Sequence, residues 1–435
     1  MNIGIFILLA ALILFGVLAF RQISALILAP LVSIFVIVGY RLPVLENLKN
    51  QFMPAASSYI TKYFLIFFIG ALFGAVYQFT GAAESIARFL SKMSGDKFVV
   101  PLVMCITGIL TFGGVSGFVV FFVIYPIALQ MFRKANITRM LIPAAISSGC
   151  WTWSMTAPGS PSIQNVIAMT SLGTPSTAAL VPSIIATIGE FLMIFLWLEW
   201  RARKFTKRGR LFNDKSLKYQ LTDEDIKENG SDNLPHPLVA FLPIITILVS
   251  FNLIKLPVET SVLMGTVLAA VLMFKKVSSI EGWVSVFNKG AADSGVAILN
   301  TAIVVGFGGV VKNTQGFSDL IEGLKNWNVS PMLFVAITVA VSAGACGSAS
   351  GGMGVAFDAL TSTFVKMGIN LQYVHRIGAI AAGTLDTLPH QGAQITLLGI
   401  CKLTHKEAYY DIAITQILIP FLTLGIFIPL ANMGL

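Results

Sequence analysis

Charge is what this sequence has least of. Asp, Glu, Lys and Arg make up only 11% of its 435 residues while hydrophobic residues make up 56%, a balance far from that of soluble domains and typical of chains threaded repeatedly through a bilayer. There are four cysteines, Cys105, Cys150, Cys346 and Cys401, each alone in or beside an apolar run. That scatter excludes a disulfide framework and a zinc site and leaves them as small apolar fillers. No GxxxxGK[ST] motif is present, which excludes ATP-driven transport by this chain alone. The run from Ile3 to Phe20 lacks a basic n-region and a clear small-residue cleavage site, and it is read as a retained first span. The net charge of +9 is no sign of nucleic-acid binding, because the basic residues sit in loops, where they mark the cytoplasmic face of a membrane protein.

What is abundant is apolar sequence. A bilayer core of about 30 Å takes about 20 residues of helix, and full spans are expected at 3–20, 23–40, 60–80, 139–171, 177–200, 238–255, 258–274, 294–311, 375–400 and 411–433. Two further regions, 98–132 and 331–366, are split by Gly113-Gly-Val-Ser-Gly117 and Gly347-Ser-Ala-Ser-Gly351. Their arms of about 15 residues make about 22 Å of helix, too short to cross, so each is expected to be a re-entrant hairpin. The one long hydrophilic stretch, Arg201 to His236, opens with Arg201, Arg203, Lys204, Lys207, Arg208 and Arg210 and is assigned to the cytoplasm. Counting outward from it puts most of the 29 Lys and Arg residues on that side, with both termini outside.

This topology makes the two hairpins enter from opposite faces. Matching motifs occur in the same order and at near-constant spacing: Gly74–Gly81 with Gly309–Gly316, the two Gly-x-x-Ser-Gly tips, and Thr156-Ala-Pro158 with Thr387-Leu-Pro389, followed by Gln164 and Gln394. The expected fold is therefore all-α and polytopic, an inverted-repeat secondary transporter with two re-entrant helical hairpins and two broken membrane helices. The first repeat covers 1–200, a basic cytoplasmic linker 201–237 and the second repeat 238–435.

Two interrupted helices and two hairpin tips would meet near mid-depth. Non-helical backbone at that depth must line a cavity or be buried in protein. Interrupting a helix exposes N–H groups that favour an anion at one new end and carbonyls that favour a cation at the other. Thr156, Gly159, Ser160, Gln164 and Asn165 in the first break supply hydroxyls, amides and open backbone for a carboxylate; a Pro-kinked helix is the alternative. Ser116, Gly117, Ser348 and Ser350 at the tips, with Thr387, Gln391 and Gln394 in the second break, complete the expected binding set. Close helix packing through small residues is the alternative for the tips. Asp386 and His390 are the side chains of the second break able to take up and release a proton, and the matching part of the first repeat, Thr152-Trp-Ser154, has neither. The competing readings are a helix cap for Asp386 and a structural donor for His390. Asp358 is open between coupling and packing, Glu190, Glu199, Asp293 and Asp319 are assigned to interfaces or subunit contacts, and His236, His375 and His405 to solvated positions near loops. No arginine is expected at the site, which favours a monocarboxylate.

Thr156–Asn165, Leu385–Leu398 and Leu403-Thr-His-Lys-Glu-Ala-Tyr409 resemble the gluconate permease family of the ion transporter superfamily, closest in look to its hydroxybutyrate permease-like members. The resemblance implies a multi-pass secondary carrier of the bacterial cytoplasmic (inner) membrane, one that takes small organic acid anions by proton symport. It also implies a homodimer of elevator type, whose moving part would hold 98–171 and 331–400. The expected partners are the small organic acid, the lipid bilayer and a second copy, with no nucleic acid. No cofactor and no metal are expected; the coupling ion is H+, with Na+ as the alternative. A channel would need a continuous polar pore. An intramembrane enzyme would need a nucleophile elbow or metal-ligand spacing, and neither pattern is present.

Overall fold

The computed structural model describes residues 3–20, 23–94, 98–115, 117–222, 233–326, 329–389 and 391–434. Every regular element among them is helical. The chain begins with α1 (Ile3–Phe20) and α2 (Ala25–Gly39), then the long α3 (Val44–Phe79) and the short amphipathic α4 (Ala82–Ser94). The first hairpin follows as α5 (Val99–Phe112) and α6 (Gly117–Lys134). A broken helix comes next, as α7 (Ile142–Trp151), the single turn α8 (Trp153–Thr156) and α9 (Ile163–Leu172), and α10 (Leu180–Lys207) closes this half.

The same succession of element types then recurs. α11 (Pro237–Asn252) and α12 (Val258–Leu272) lead to the long α13 (Ile280–Lys312) and the amphipathic α14 (Gln315–Asn326). The second hairpin is α15 (Pro331–Cys346) and α16 (Ala349–Lys366), the second broken helix α17 (Leu371–Leu385) and α18 (Gly392–Ile400), and α19 (His405–Asn432) ends the chain. The hairpins and breaks thus fall where small residues and prolines interrupt the apolar runs.

Helix lengths differ from expectation in both directions. The segments expected as spans at 60–80 and 294–311 are parts of α3 and α13, of 36 and 33 residues. At 1.5 Å per residue these are about 50 Å long, so they tilt steeply or extend beyond the hydrocarbon. Conversely, 23–40, 238–255 and 258–274 form helices of only 15 or 16 residues. Among the described residues, four helices are long and apolar enough to cross a membrane alone: α3, α10, α13 and α19. Two of these carry a π-turn just before a proline, Leu48–Phe52 before Pro54 and Ile414–Leu418 before Pro420, where the missing proline N–H removes one rung of the ladder.

The two halves are interlocked rather than side by side. α3 and α13 pack along each other at the centre; α11 and α12 of the second half lie on α4 and α3 of the first, while α1 and α2 lie on α14 and α13. The breaks exchange partners in the same way. α9 packs on α16 and α17, and α18 on α6 and α7. Two buried arginines fasten the exchange. Arg139, at the start of the first broken helix, donates to the carbonyls of Cys401 and Lys402 beyond α18, at 3.2 Å each, and Arg376, near the start of the second, donates to carbonyls around the first break.

The hydrophilic stretch is shorter than its composition implied. Arg201 to Lys207 continue α10, and Arg201 makes a two-pronged pair with Asp411 of α19, at 2.5 and 2.8 Å. Residues 208–222 fold back on the protein: Phe212 and Leu217 are buried, Lys218 N–H donates to Glu407 at 2.7 Å, and Arg139 also donates to the Tyr219 carbonyl.

Candidate functional site

In the first break α7 ends at Trp151, and the backbone becomes extended at Ala157 after the single turn of α8. Pro158 and Pro161 cannot restart the hydrogen-bond ladder, so side chains must satisfy the freed carbonyls. Asn165 does most of this. Its Nδ2 lies 3.0, 3.3 and 3.1 Å from the carbonyls of Met155, Ala157 and Ser160, and its Oδ1 accepts from Arg376 at 2.6 Å and lies 3.0 Å from His375 Nε2. Arg376 adds bonds to the carbonyls of Thr156 and Ala178, at 3.0 Å each, and of Ser176. A cation among carbonyls at a broken helix end is the arrangement the helix dipole favours. His375 and Arg376 are both fully buried. The expectation of a solvated His375 is therefore overturned, and a charged side chain stands at the break where sequence reasoning found none.

In the second break Asp386 is the residue that follows α17, buried to 3% exposure. Gln391 Nε2 donates to its Oδ2 at 2.9 Å and Thr387 Oγ1 to its Oδ1 at 3.2 Å. The backbone amides of Thr387 and of Ala349, the first residue of α16, are directed at the same carboxylate. Asp386 therefore ties the second hairpin tip to the second break. Tyr409 OH donates to the Thr387 carbonyl at 3.1 Å, and His405 Nε2 lies 3.0 Å from the Pro389 carbonyl. His405 is thus half-buried against the break rather than solvated, whereas His236 is exposed as expected and caps α11.

Both hairpin tips turn through glycines in the left-handed region, Gly114 at φ 95° and Gly347 at φ 57°, conformations that cost a residue with a side chain. At the second tip Ser348 Oγ accepts the Gly351 N–H at 3.2 Å, and Ser350 Oγ accepts Tyr59 OH of α3 at 2.9 Å.

The two tips and the two breaks open on one cavity of about 490 Å³, which α3 and α13 close from the other side. Gly117, Thr156, Gln164, Ser348, Ser350, Asp386 and Gln391 of the expected set line it. Gly159, Ser160, Asn165, Thr387 and Gln394 do not. Gly159 meets Asn252, Asn165 knits the first break, Thr387 turns to Asp386, and Gln394 donates to Gln416 at 2.6 Å. Ser116 and His390 lie outside the described residues. Asp358 faces Lys62 at 3.6 Å rather than the cavity. Asp293, assigned from sequence to an interface, lines the cavity, and Glu190, assigned likewise, is fully buried inside the chain's own fold with Thr156 Oγ1 donating to it at 3.1 Å. The signal for Glu190 and Arg376 was available in the sequence: Glu190 is a lone ionisable residue in an apolar segment, and Arg376, next to His375, opens another.

Two features define the chemistry of the cavity. Four helices begin at its wall, α6 at Gly117, α9 at Ile163, α16 at Ala349 and α18 at Gly392. α9 and α18 have no side-chain cap, whereas at α16 Ser348 Oγ already holds the Gly351 N–H. The positive ends of four helices therefore converge there, with the first-turn N–H groups of α9 and α18 left uncapped. Two carboxylates, Asp386 and Asp293, are the charged side chains of its lining among the described residues. Gln164 Oε1 and Gln391 Oε1 are buried there without a hydrogen-bond partner. The wall therefore offers sites for both an anion and a cation.

Comparison with known proteins agrees with a transport role. Residues 234–389 match the Na+/H+ antiporter family. The chain is 32% identical to the uncharacterized transporter YxjC of Bacillus subtilis (strain 168) over 92% of its own length and 93% of the relative's. It is 23% identical to an uncharacterized transporter of Haemophilus influenzae, covering 80% of this chain and 79% of that one. The fold is similar to that of the Alcanivorax borkumensis YdaH transporter, with a TM-score of 0.55 at 13% identity over 88% of this chain and 87% of the other. With its apolar helices and a full-length relative at this level of identity, the chain is a membrane protein and belongs to the transporter family of Bacillus subtilis YxjC.

Proposed function

We propose that the protein is a secondary active carrier of the bacterial cytoplasmic membrane that moves a small organic acid anion together with a proton. The convergence of four helix N-termini on one cavity carries this reading. Each N-terminus contributes about half a positive charge, and the uncapped first turns of α9 and α18 offer N–H groups that a carboxylate can use without an arginine. The size agrees: 490 Å³ lies within the range of small-molecule sites and suits a hydroxy monocarboxylate such as hydroxybutyrate or a gluconate-like acid. Thr156, Ser348 and Ser350 supply hydroxyls, and Gln164 and Gln391 supply amides with an unused acceptor. Gly117 lines the same anion site, with Ser116 and His390, four residues after Asp386 in sequence, kept as candidates on the sequence alone, and Asp386 takes the coupling proton. The gluconate permease resemblance supports the same substrate class. An elevator motion of the tips and breaks against α3 and α13, within a homodimer, would expose the cavity to each side in turn.

The match of 234–389 to the Na+/H+ antiporter family favours a second reading, in which Na+ takes the place of the proton at Asp386. Uptake of 3-hydroxybutyrate into proteoliposomes, under an imposed pH gradient with and without sodium, decides between them. Saturable uptake driven by the pH gradient alone is expected. A strict sodium requirement overturns proton coupling, and sodium-driven proton movement with no uptake of organic acid overturns the substrate.

A further inference from the structure

Glu190 stands outside the cavity lining but one hydroxyl away from it. Its side chain is 0% exposed. Thr156 Oγ1, whose residue lines the cavity, lies 3.1 Å from Glu190 Oε2 and 3.2 Å from the Thr152 carbonyl. The other carboxyl oxygen, Oε1, is buried with no hydrogen-bond partner. Thr156 is the sequence match of Thr387, and Thr387 makes the corresponding bond to Asp386. Each break therefore joins a threonine hydroxyl to a carboxyl group, Asp386 from the break itself and Glu190 from α10.

We propose that Glu190 is a second proton-binding site of this carrier, coupled through the Thr156 hydroxyl to an anion in the cavity. The proposal rests on the organic-anion reading given above. A hydroxyl has one proton to donate. While Glu190 is ionised, that proton is committed to Glu190 Oε2. When Glu190 takes a proton from the cavity side, one O–H bond forms on the carboxyl group, which then donates to Thr156 Oγ1. The threonine proton is thereby released from Glu190, and a bound carboxylate, the more strongly accepting group, draws it in competition with the neutral Thr152 carbonyl at 3.2 Å. Anion and proton each favour the other's binding, and the coupling is reciprocal.

The surroundings leave Glu190 free to make this exchange. Of the helices packed against α10, α5 carries only Cys105 as a titratable group and α8 carries none. The titratable residues of α19 lie between His405 and Asp411, at the end paired with Arg201. Arg201 is about 16 Å along α10 from Glu190 at 1.5 Å per residue, and Glu199 lies on the way to it. The nearest fixed charge in the bonding network is Arg376, which holds the Thr156 carbonyl rather than the carboxyl group.

Infrared difference spectroscopy of the full-length protein, titrated without substrate, reads the C=O stretch of protonated carboxyl groups. Wild type should show a band that Glu190→Gln lacks and that Thr156→Val shifts, since the valine removes its hydrogen bond. A titration spectrum unchanged in both variants overturns the proposal whatever the substrate proves to be, and Thr156→Val alone decides if Glu190→Gln does not fold. With 3-hydroxybutyrate as the probe, wild-type affinity should rise as pH falls, by up to about tenfold per unit for each linked proton. Glu190→Gln, whose amide donates to Thr156 at every pH, should lose the share of this dependence that Glu190 supplies and keep only that of Asp386, a shallower dependence than wild type. A Glu190→Gln variant with the wild-type pH dependence overturns the coupling. Absence of 3-hydroxybutyrate binding in wild type counts against the substrate reading instead and leaves the spectroscopic result to decide Glu190.

Discussion

Replacing Arg376 by lysine isolates what the guanidinium geometry contributes. The charge is kept, so the cost of burying a cation remains, and an ammonium is the more strongly hydrated of the two. What is lost is the planar fork. Arg376 reaches the carbonyls of Thr156, Ala157, Ser176 and Ala178 and the side chain of Asn165, and three donors on one nitrogen cannot span that set. Three of the carbonyls keep a second donor: Ser176 from the Gly159 N–H, Ala157 from the Ser160 N–H, and Ala178 from Ser183 Oγ. Each of these losses is taken at about 0.5 kcal/mol, the low end of a net hydrogen bond, and the loss at the Thr156 carbonyl, where α8 stops, at about 2 kcal/mol. If the ammonium reaches none of these carbonyls, the total is roughly 3.5 kcal/mol. Methionine would be a poorer test, because removing a buried cation also removes its desolvation cost and can offset the lost bonds.

The assay is thermal denaturation of detergent-solubilised protein together with limited proteolysis. Arg376→Lys should lower the midpoint by several degrees and make the segment 156–178 the first new cleavage site. Wild-type stability and an unchanged cleavage pattern would refute the argument that this side chain holds the first break closed.

Asp386→Asn keeps the shape of the second break but replaces one acceptor of the Thr387 and Gln391 bonds by a donor; uptake driven by a pH gradient should fall at least about tenfold, and retention of the full gradient dependence would remove Asp386 from coupling. Arg201→Ala leaves Asp411, at 2% side-chain exposure, buried without its two-pronged partner, and a loss of about 3 to 5 kcal/mol is expected in thermal or denaturant unfolding. Gly352→Ala would put a Cβ 2.1 Å from Ala343 Cα, forcing the arms of the second hairpin apart at a cost of about 1 to 3 kcal/mol. Gly354→Ala, which meets nothing within 4 Å, serves as its control and should be neutral or slightly stabilising.

The breaks and tips were legible in the sequence because their cause is local. Proline lacks a donor and glycine lacks a Cβ, so Pro158, Pro161, Gly114 and Gly347 mark their positions whatever surrounds them. The extent of α13 was not legible. Residues 280–293 include Glu281, Lys289 and Asp293, a composition that reads as loop, but they form helix packed along α3, and Lys289 pairs with Asp293 one turn on. Tertiary contact there outweighs hydropathy. Nor does residue type fix direction: Asn165 and Gln164 are neighbours with almost the same chemistry, and a turn of 100° on α9 sends one to Arg376 and the other to the cavity.

The same limit governs the asymmetry of the two repeats. Compared position by position, the second break has an acid and the first has none, since Asp386 lines up with no carboxylate. In space each break has one. The two acids differ in how they are supplied: Asp386 is covalently next to Thr387 and moves with it, whereas Glu190 reaches Thr156 across the contact between α10 and α8. A displacement of α10 relative to the first break would open the Thr156–Glu190 pair and leave Thr387–Asp386 intact. The inequality written in the sequence is therefore mechanical as well as chemical: of the two threonine–carboxyl pairs, only the first can be made and broken by the movement of helices.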